Sequence, residues 1–209
     1  MRSETAAVLQ TIDWAVASRE LPGETVCGDR HTVTPAADGV LASVVDGLGH
    51  GQEACLAAET ACMILEEHVE WPLEVLMHRC HEALKKTRGA VMTLARLNIL
   101  VNEITWLGIG NVEAVLWRAN SGTHTAPERV LLHSGLLGLR LPQLQTNTLP
   151  IGPGDLLVIV TDGIAPEFHE TMVRSDSPQQ IADGILRRHF KGNDDALVLV
   201  LRYVGHGQT

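Results

Sequence analysis

The order of apolar patterns predicts an α+β fold with antiparallel sheets. Three observations carry that prediction. Two helical patterns stand side by side between groups of strands, several strand-like runs then follow one another without helices between them, and the regular strand–helix alternation of a doubly wound sheet is missing. The 209 residues suffice for one sizeable core and are few for two. No repeat, low-complexity run or Pro/Ser-rich linker divides them, so residues 1–209 read as a single domain.

The elements follow in order. Residues 39–45, "GVLASVV", are a buried strand. From Gln52 the pattern turns helical, with Ala54, Leu56, Ala58, Ala61, Ile64 and Leu65 at mixed three- and four-residue steps. Pro72 suits the first turn of a second helix, Leu73 to about Arg88. Strand-like runs come next: "AVMTLARLNI", "EITWLGIG", "VEAVLWRA", "RVLLHS" and, after the turn "GPGD", "LLVIVT". In "SPQQIADGILRRHF" Ser177 reads as the N-cap and Pro178 as the first residue of a third helix. "ALVLVLRYV" is the last strand. Aromatic residues are only 3%, so aliphatic side chains must fill the core.

The formal net charge of −9 speaks against a nucleic-acid or anionic-membrane surface, both of which need basic patches. It suits a protein that gathers cations or docks on a protein partner. No segment is long and apolar enough to span a bilayer, and the N-terminal stretch carries acids inside its apolar part, unlike a signal peptide. The four cysteines show no metal-ligand spacing; Cys55 and Cys62, seven apart, share one helix face and read as core. Free thiols without an export signal imply the cytoplasm.

Four acidic points mark strand ends. Asp46 and Asp162 each close an apolar strand and precede a glycine, the pair Asp194–Asp195 stands just before the last strand, and Asp29 opens an early one. Asp-Gly alone is a common turn dipeptide. Four such points on packed sheets suggest convergence at one rim. Two like charges ~4 Å apart repel by roughly 1 kcal/mol in water and ~4 kcal/mol at an effective dielectric of ~20. Gathered carboxylates therefore need protons or cations, and hard divalent ions, Mg2+ or Mn2+, suit all-oxygen donors. Asp46 then reads as a metal ligand, with Gly47 leaving room for a backbone carbonyl to approach an ion.

The order Asp29, "VVDGLGHG", "VTDGI", "NDDALVLV", strengthened by "GIGNVEAVLW" and "GDLLVIVTDGI", resembles the metal-dependent type 2C (PPM) protein phosphatases. It is most similar to their bacterial SpoIIE/RsbU/RsbX group and, in lacking an attached sensor region, to the RsbX type. The likeness runs from about Cys27 to Leu201. It implies a four-layer α-β-β-α sandwich with two antiparallel sheets. It also implies a serine/threonine phosphatase in which a water bridging two Mn2+ or Mg2+ ions attacks phosphorus without a phosphoenzyme. Carried over residue by residue, Asp46 would bridge both ions, the Gly47 carbonyl would bind the second, and Asp162 and Asp194 the first. Asp29 would ligate directly or through water. Asp195 is the alternative to Asp194 should the register shift by one. The implied partners are phosphorylated stressosome scaffold proteins of the RsbS/RsbR kind, in a stress-response pathway, or a phosphorylated anti-sigma-factor antagonist.

One departure concerns the histidine that eukaryotic relatives carry directly after Asp-Gly. Leu48 stands there, and the histidine is His50, a candidate acid for the leaving group or simply a polar residue at the helix entry. His68, His78 and His81 read as helix-surface residues, and Arg30 as a phosphate holder or a surface ion pair. No arginine matches the eukaryotic phosphate-binding one. Two rival classes remain. "DGLGHG" is similar to the D-x-G-x-G box of histidine-kinase-type ATPases, but Leu48 occupies the place of its first required glycine. A catalytically silent phosphatase fold used only for binding would not need all the acids.

Overall fold

The computed structural model describes residues 10–120 and 126–205. The first residues of the N-terminal stretch judged above for a signal peptide lie outside these. Eleven strands are described: β1 (Ile12–Arg19), β2 (Asp29–Ala36), β3 (Gly39–Gly47), β4 (Ala90–Asn98), β5 (Glu103–Ile109), β6 (Glu113–Trp117), β7 (Glu128–Arg129), β8 (Leu132–His133), β9 (Asn147–Pro150), β10 (Leu156–Val160) and β11 (Ala196–Tyr203). With them stand helices α1 (Gln52–Glu67), α2 (Leu73–Leu84) and α3 (Pro178–His189), and a 3-10 segment, Pro166–Thr171.

The strands form two sheets, ordered β1-β11-β10-β6-β7 and β2-β3-β4-β5-β8, with β9 also on β5. All pairings are antiparallel except the two-residue pairing of β8 with β5. That exception arises because "RVLLHS", read as one strand, is split: Glu128–Arg129 pairs with β6 in one sheet, and after two residues Leu132–His133 runs beside β5 in the other.

Three apolar layers hold four layers of structure together. Between the sheets lie Val40, Ala42 and Val44 of β3 against Leu197, Leu199 and Leu201 of β11, with Trp106 of β5. The alternate residues of the same strands face outward onto helices. Leu41 and Val45 meet Ala57, Ala61 and Leu65 of α1 and Leu76 of α2. Val198 and Val200 meet Ile181 and Ile185 of α3. Both faces of these strands are covered, which is why they read as continuous apolar runs rather than alternating ones.

The helix ends follow local chemistry. Ser177 caps α3 with a full capping box: its hydroxyl accepts from Gln180 N–H, and the Gln180 side chain accepts from Ser177 N–H at 3.0 Å. Helix α2 stops at Leu84, short of Arg88. The Leu84 carbonyl there accepts from both the N–H and the hydroxyl of Thr87, and Gly89 turns the chain at φ 86° into β4. The four cysteines are free and buried; burial pushes the thiols of Cys27, Cys62 and Cys80 up to about 12, so these three are inert core residues. No helix among the described residues is long and apolar enough to cross a membrane.

Candidate active site

Asp29 and Asp46 face each other in the antiparallel register of β2 and β3. Asp46 lies inside β3, paired on its other side with Val91 of β4, so it is a strand residue and not part of a turn. In the second sheet β10 and β11 are antiparallel neighbours, with Val160 opposite Val198. Their adjoining ends bring Asp162, just after β10, to the same end as Asp194 and Asp195, just before β11.

Thr161 joins the two sheets at this end. Its hydroxyl donates to Asp29 Oδ2 at 2.8 Å and accepts the N–H of Leu197 at 2.8 Å. The five carboxylates then lie within electrostatic reach of one another. Burial first, and then Asp29, Asp162, Asp194 and Asp195, push the Asp46 carboxyl up to about 9. Asp29, 3% exposed, is raised to about 7 by burial and by Asp195, Asp194 and Asp162, against the Thr161 hydrogen bond that lowers it. Asp162 is raised by burial and Asp194 while Lys191 and Asn111 pull it down, and Asn111 donates to its Oδ2 at 2.7 Å.

The adjacent acids Asp194 and Asp195 have different surroundings. Asp195 is 3% exposed and has both oxygens engaged by main chain: Oδ1 accepts from Leu21 N–H at 2.8 Å and Oδ2 from Gly28 N–H at 2.7 Å. Asp194 is half-buried, and its Oδ1 accepts the N–H of Asp195 at 2.8 Å. Asp195 thus clasps the segment leading into β2 to the start of β11.

Both Asp-Gly glycines are required by close main-chain approach. A Cβ on Gly47 would lie 2.0 Å from the Ala54 carbonyl oxygen of α1, and one on Gly163 would lie 1.9 Å from the Asp195 carbonyl oxygen. His50 stands in the loop from β3 to α1, with Nδ1 2.6 Å from Glu24 Oε1 at the surface. Arg30 forms a surface ion pair with Glu59 and bonds the Cys27 carbonyl. His68 stacks on Trp71, and His81 Nδ1 accepts from Gly138 N–H. Thr161 and Asn111 had no role in the sequence reading. Their signal was their place in "VTDGI" and "GIGNVE", beside the acids they support.

Among the described residues no group of three or more His, Cys, Asp or Glu side chains is arranged as a cage for one ion. The donor set nonetheless fits Mg2+ or Mn2+. All donors are hard oxygens, and the carboxyls of Asp46, Asp29 and Asp162 are raised by burial first and then by the neighbouring acids. Mg2+ in particular keeps several waters and needs only one or two carboxylates rather than an all-protein cage.

The raised values give a metal-free stability profile. For Asp46 and Asp29 the folded value lies above the unfolded value of about 3.9. The folded state therefore binds more protons between about pH 4 and pH 9, and stability is lost as pH rises through that window. Melting in EDTA at pH 5, 7 and 9 should show Tm falling at each step, and added Mn2+ should reduce the fall. A flat or rising profile in EDTA would show that the acids do not strain one another.

Two sheets between helices, with an acid cluster at their shared end, define a PPM-type phosphatase domain. The chain belongs to the Stage II sporulation protein E (SpoIIE) family, whose model matches residues 36–204. It is 26% identical over 180 residues to the phosphoserine phosphatase RsbX of Bacillus subtilis (strain 168), covering 86% of this chain and 88% of that protein. A structure from work on the bacterial stressosome, a modular system adapted to control secondary messenger signaling, matches with TM-score 0.82 at 28% identity over 91% of this chain and 99% of its own. RsbX in complex with magnesium matches in fold with TM-score 0.81 at 23% identity, over 91% and 94%.

Proposed function

We propose that this chain is a metal-dependent protein serine/threonine phosphatase acting in the cytoplasm on a phosphorylated stressosome-type scaffold protein. The observation that carries the reading is the position of Asp46, a half-buried carboxylate raised to about 9 among four others, a site that calls for cations. In this reading Asp46, Asp162, Asp194 and the carbonyl of Gly47 would hold two divalent ions. Asp29, tied to Thr161, acts directly or through water, and Asp195 acts as the clasp described above.

Two ions would supply charge neutralisation, orientation of phosphoryl oxygens and activation of water. The chain's own part is to hold the carboxylates at one rim, with Asn111 steering Asp162 and Thr161 steering Asp29. His50 would deliver the proton to the leaving oxygen, its Nδ1 held by Glu24 so that Nε2 is free to act. The relatives support the substrate class: the RsbX relative is a phosphoserine phosphatase, and the 28%-identical structure comes from stressosome work.

The test is phosphate release from phosphoserine, phosphothreonine and phosphotyrosine peptides by EDTA-stripped protein, with and without added Mn2+ or Mg2+. Metal-dependent release with a preference for serine or threonine is expected. An unchanged rate in chelator, or a strong preference for phosphotyrosine, would sink the reading; no release with any metal would favour a silent binding module. Phosphorylated scaffold protein should be dephosphorylated faster than a phosphorylated anti-sigma-factor antagonist, and the reverse order would reassign the substrate.

A further inference from the structure

Strand β1 is the open edge of its sheet. It pairs along all eight residues with β11, and among the described residues no strand lies on its other side. The remaining sheet edges are blunted. Strands β7 and β8 are two residues long, β9 has four residues and ends in Pro150, and β2 contains Pro35, which has no N–H to offer. Strand β1 has neither a proline nor a positive-φ residue, and its Asp13, Trp14, Ser18 and Arg19 are exposed. A long unprotected edge is a template for another strand.

The ladder alternation fixes which main-chain groups face outward. Val204 N–H donates to the Thr11 carbonyl, so the odd-numbered residues of β1 turn their main chain to β11, while Trp14, Val16 and Ser18 turn theirs to the open side. A second β1 running antiparallel about Val16 would set Val16 against the partner's Val16 and Trp14 against the partner's Ser18, outward-facing groups throughout. The same register sets Asp13 against the partner's Arg19 and, by symmetry, Arg19 against the partner's Asp13. Both charges lie on the face of β1 that carries Ala17 onto α3. The Arg19 guanidinium is held there 5.2 Å from the Phe190 ring. Arg202, opposite Asp13 on β11, donates instead to the carbonyls of Arg174 and Asp176. Sliding the register by two residues either way would lose both ion pairs.

We propose that the chain forms a two-fold dimer in which β1 pairs antiparallel with β1 of a second copy, joining the two five-stranded sheets into one. The two Asp13–Arg19 pairs set its register. The pairing is independent of what the acid cluster does. Sedimentation of the full chain over a dilution series tests it. The expected mass is twice 22.6 kDa at high concentration and falls to 22.6 kDa on dilution. Asp13→Arg and Arg19→Asp each set like charges against one another and should weaken the dimer by about tenfold. Combined in one chain they restore opposite charges, and the dissociation constant should return to within about threefold of the unmutated value. Val16→Pro removes an N–H that β11 does not use, so it should give a monomer with little change in Tm.

A mass of 22.6 kDa at every concentration overturns the proposal. So does a dimer that the single charge reversals leave unchanged, or one that both weaken and the combined variant does not recover, since its interface would then lie on another face. Should Val16→Pro unfold the chain, the charge series decides, because Asp13 and Arg19 are both exposed.

Discussion

Asp46→Asn is expected to lower phosphate release by on the order of a thousandfold or more, because a bound metal would supply several kcal/mol of transition-state stabilisation and the proposed role of this carboxylate is to hold both ions. Asparagine keeps the shape and can still pair in β3, but it offers one neutral oxygen where two cations need charge. The fold should survive. In EDTA the variant should melt at the same temperature as the unmutated protein or higher, since a carboxyl raised to about 9 by burial and its neighbours is a source of repulsion once ionised. With Mn2+ the order should reverse, because the unmutated protein gains stability by binding and the variant gains less. A residue whose only role was to shape the chain would behave otherwise: Asp46→Asn would keep both its activity and its Mn2+ response.

The second large effect separates two neighbours. Asp195→Ala removes the acceptor from two main-chain N–H groups, those of Leu21 and Gly28, at a site 3% exposed. Leaving buried donors unmet costs about 1–3 kcal/mol each, so a loss of about 2–6 kcal/mol is expected. For a chain of this length that is a fall in Tm of about 4–24 °C. Asp194→Ala should do the opposite. Its metal-free Tm should change by less than about 2 °C, as for a half-exposed substitution, while phosphate release and the Mn2+ response are lost. Equal Tm losses in EDTA, or a Mn2+ response kept by Asp194→Ala and lost by Asp195→Ala with its Tm intact, would reverse the assignment.

Much of this was legible in the sequence. Strands β3, β10 and β11 and helices α1 and α3 announce themselves through apolar runs, periodicity and the Ser177–Pro178 start. The acids are legible because they stand where those strands end. What was hidden is long-range. Strand β1, "IDWAVASR", has an irregular buried pattern and becomes a strand by pairing along its whole length with β11. The roles of Asp194 and Asp195 cannot be told apart from "NDDAL", since the amides that occupy Asp195 come from residues 174 and 167 positions away. Gly47 was read as room for an ion, whereas its immediate constraint is the Ala54 carbonyl. Arg88 was expected within a helix; Thr87 and Gly89 end that helix early, and the guanidinium pairs with Glu53 instead.

Calorimetric titration of Mn2+ into EDTA-stripped protein reads out whether the carboxylate cluster holds metal. The unmutated protein should bind two ions per chain saturably, and Asp46→Asn should lose that binding. An unmutated chain that takes up no Mn2+, or an Asp46→Asn isotherm that matches the unmutated one, would rule out Asp46 as a metal ligand.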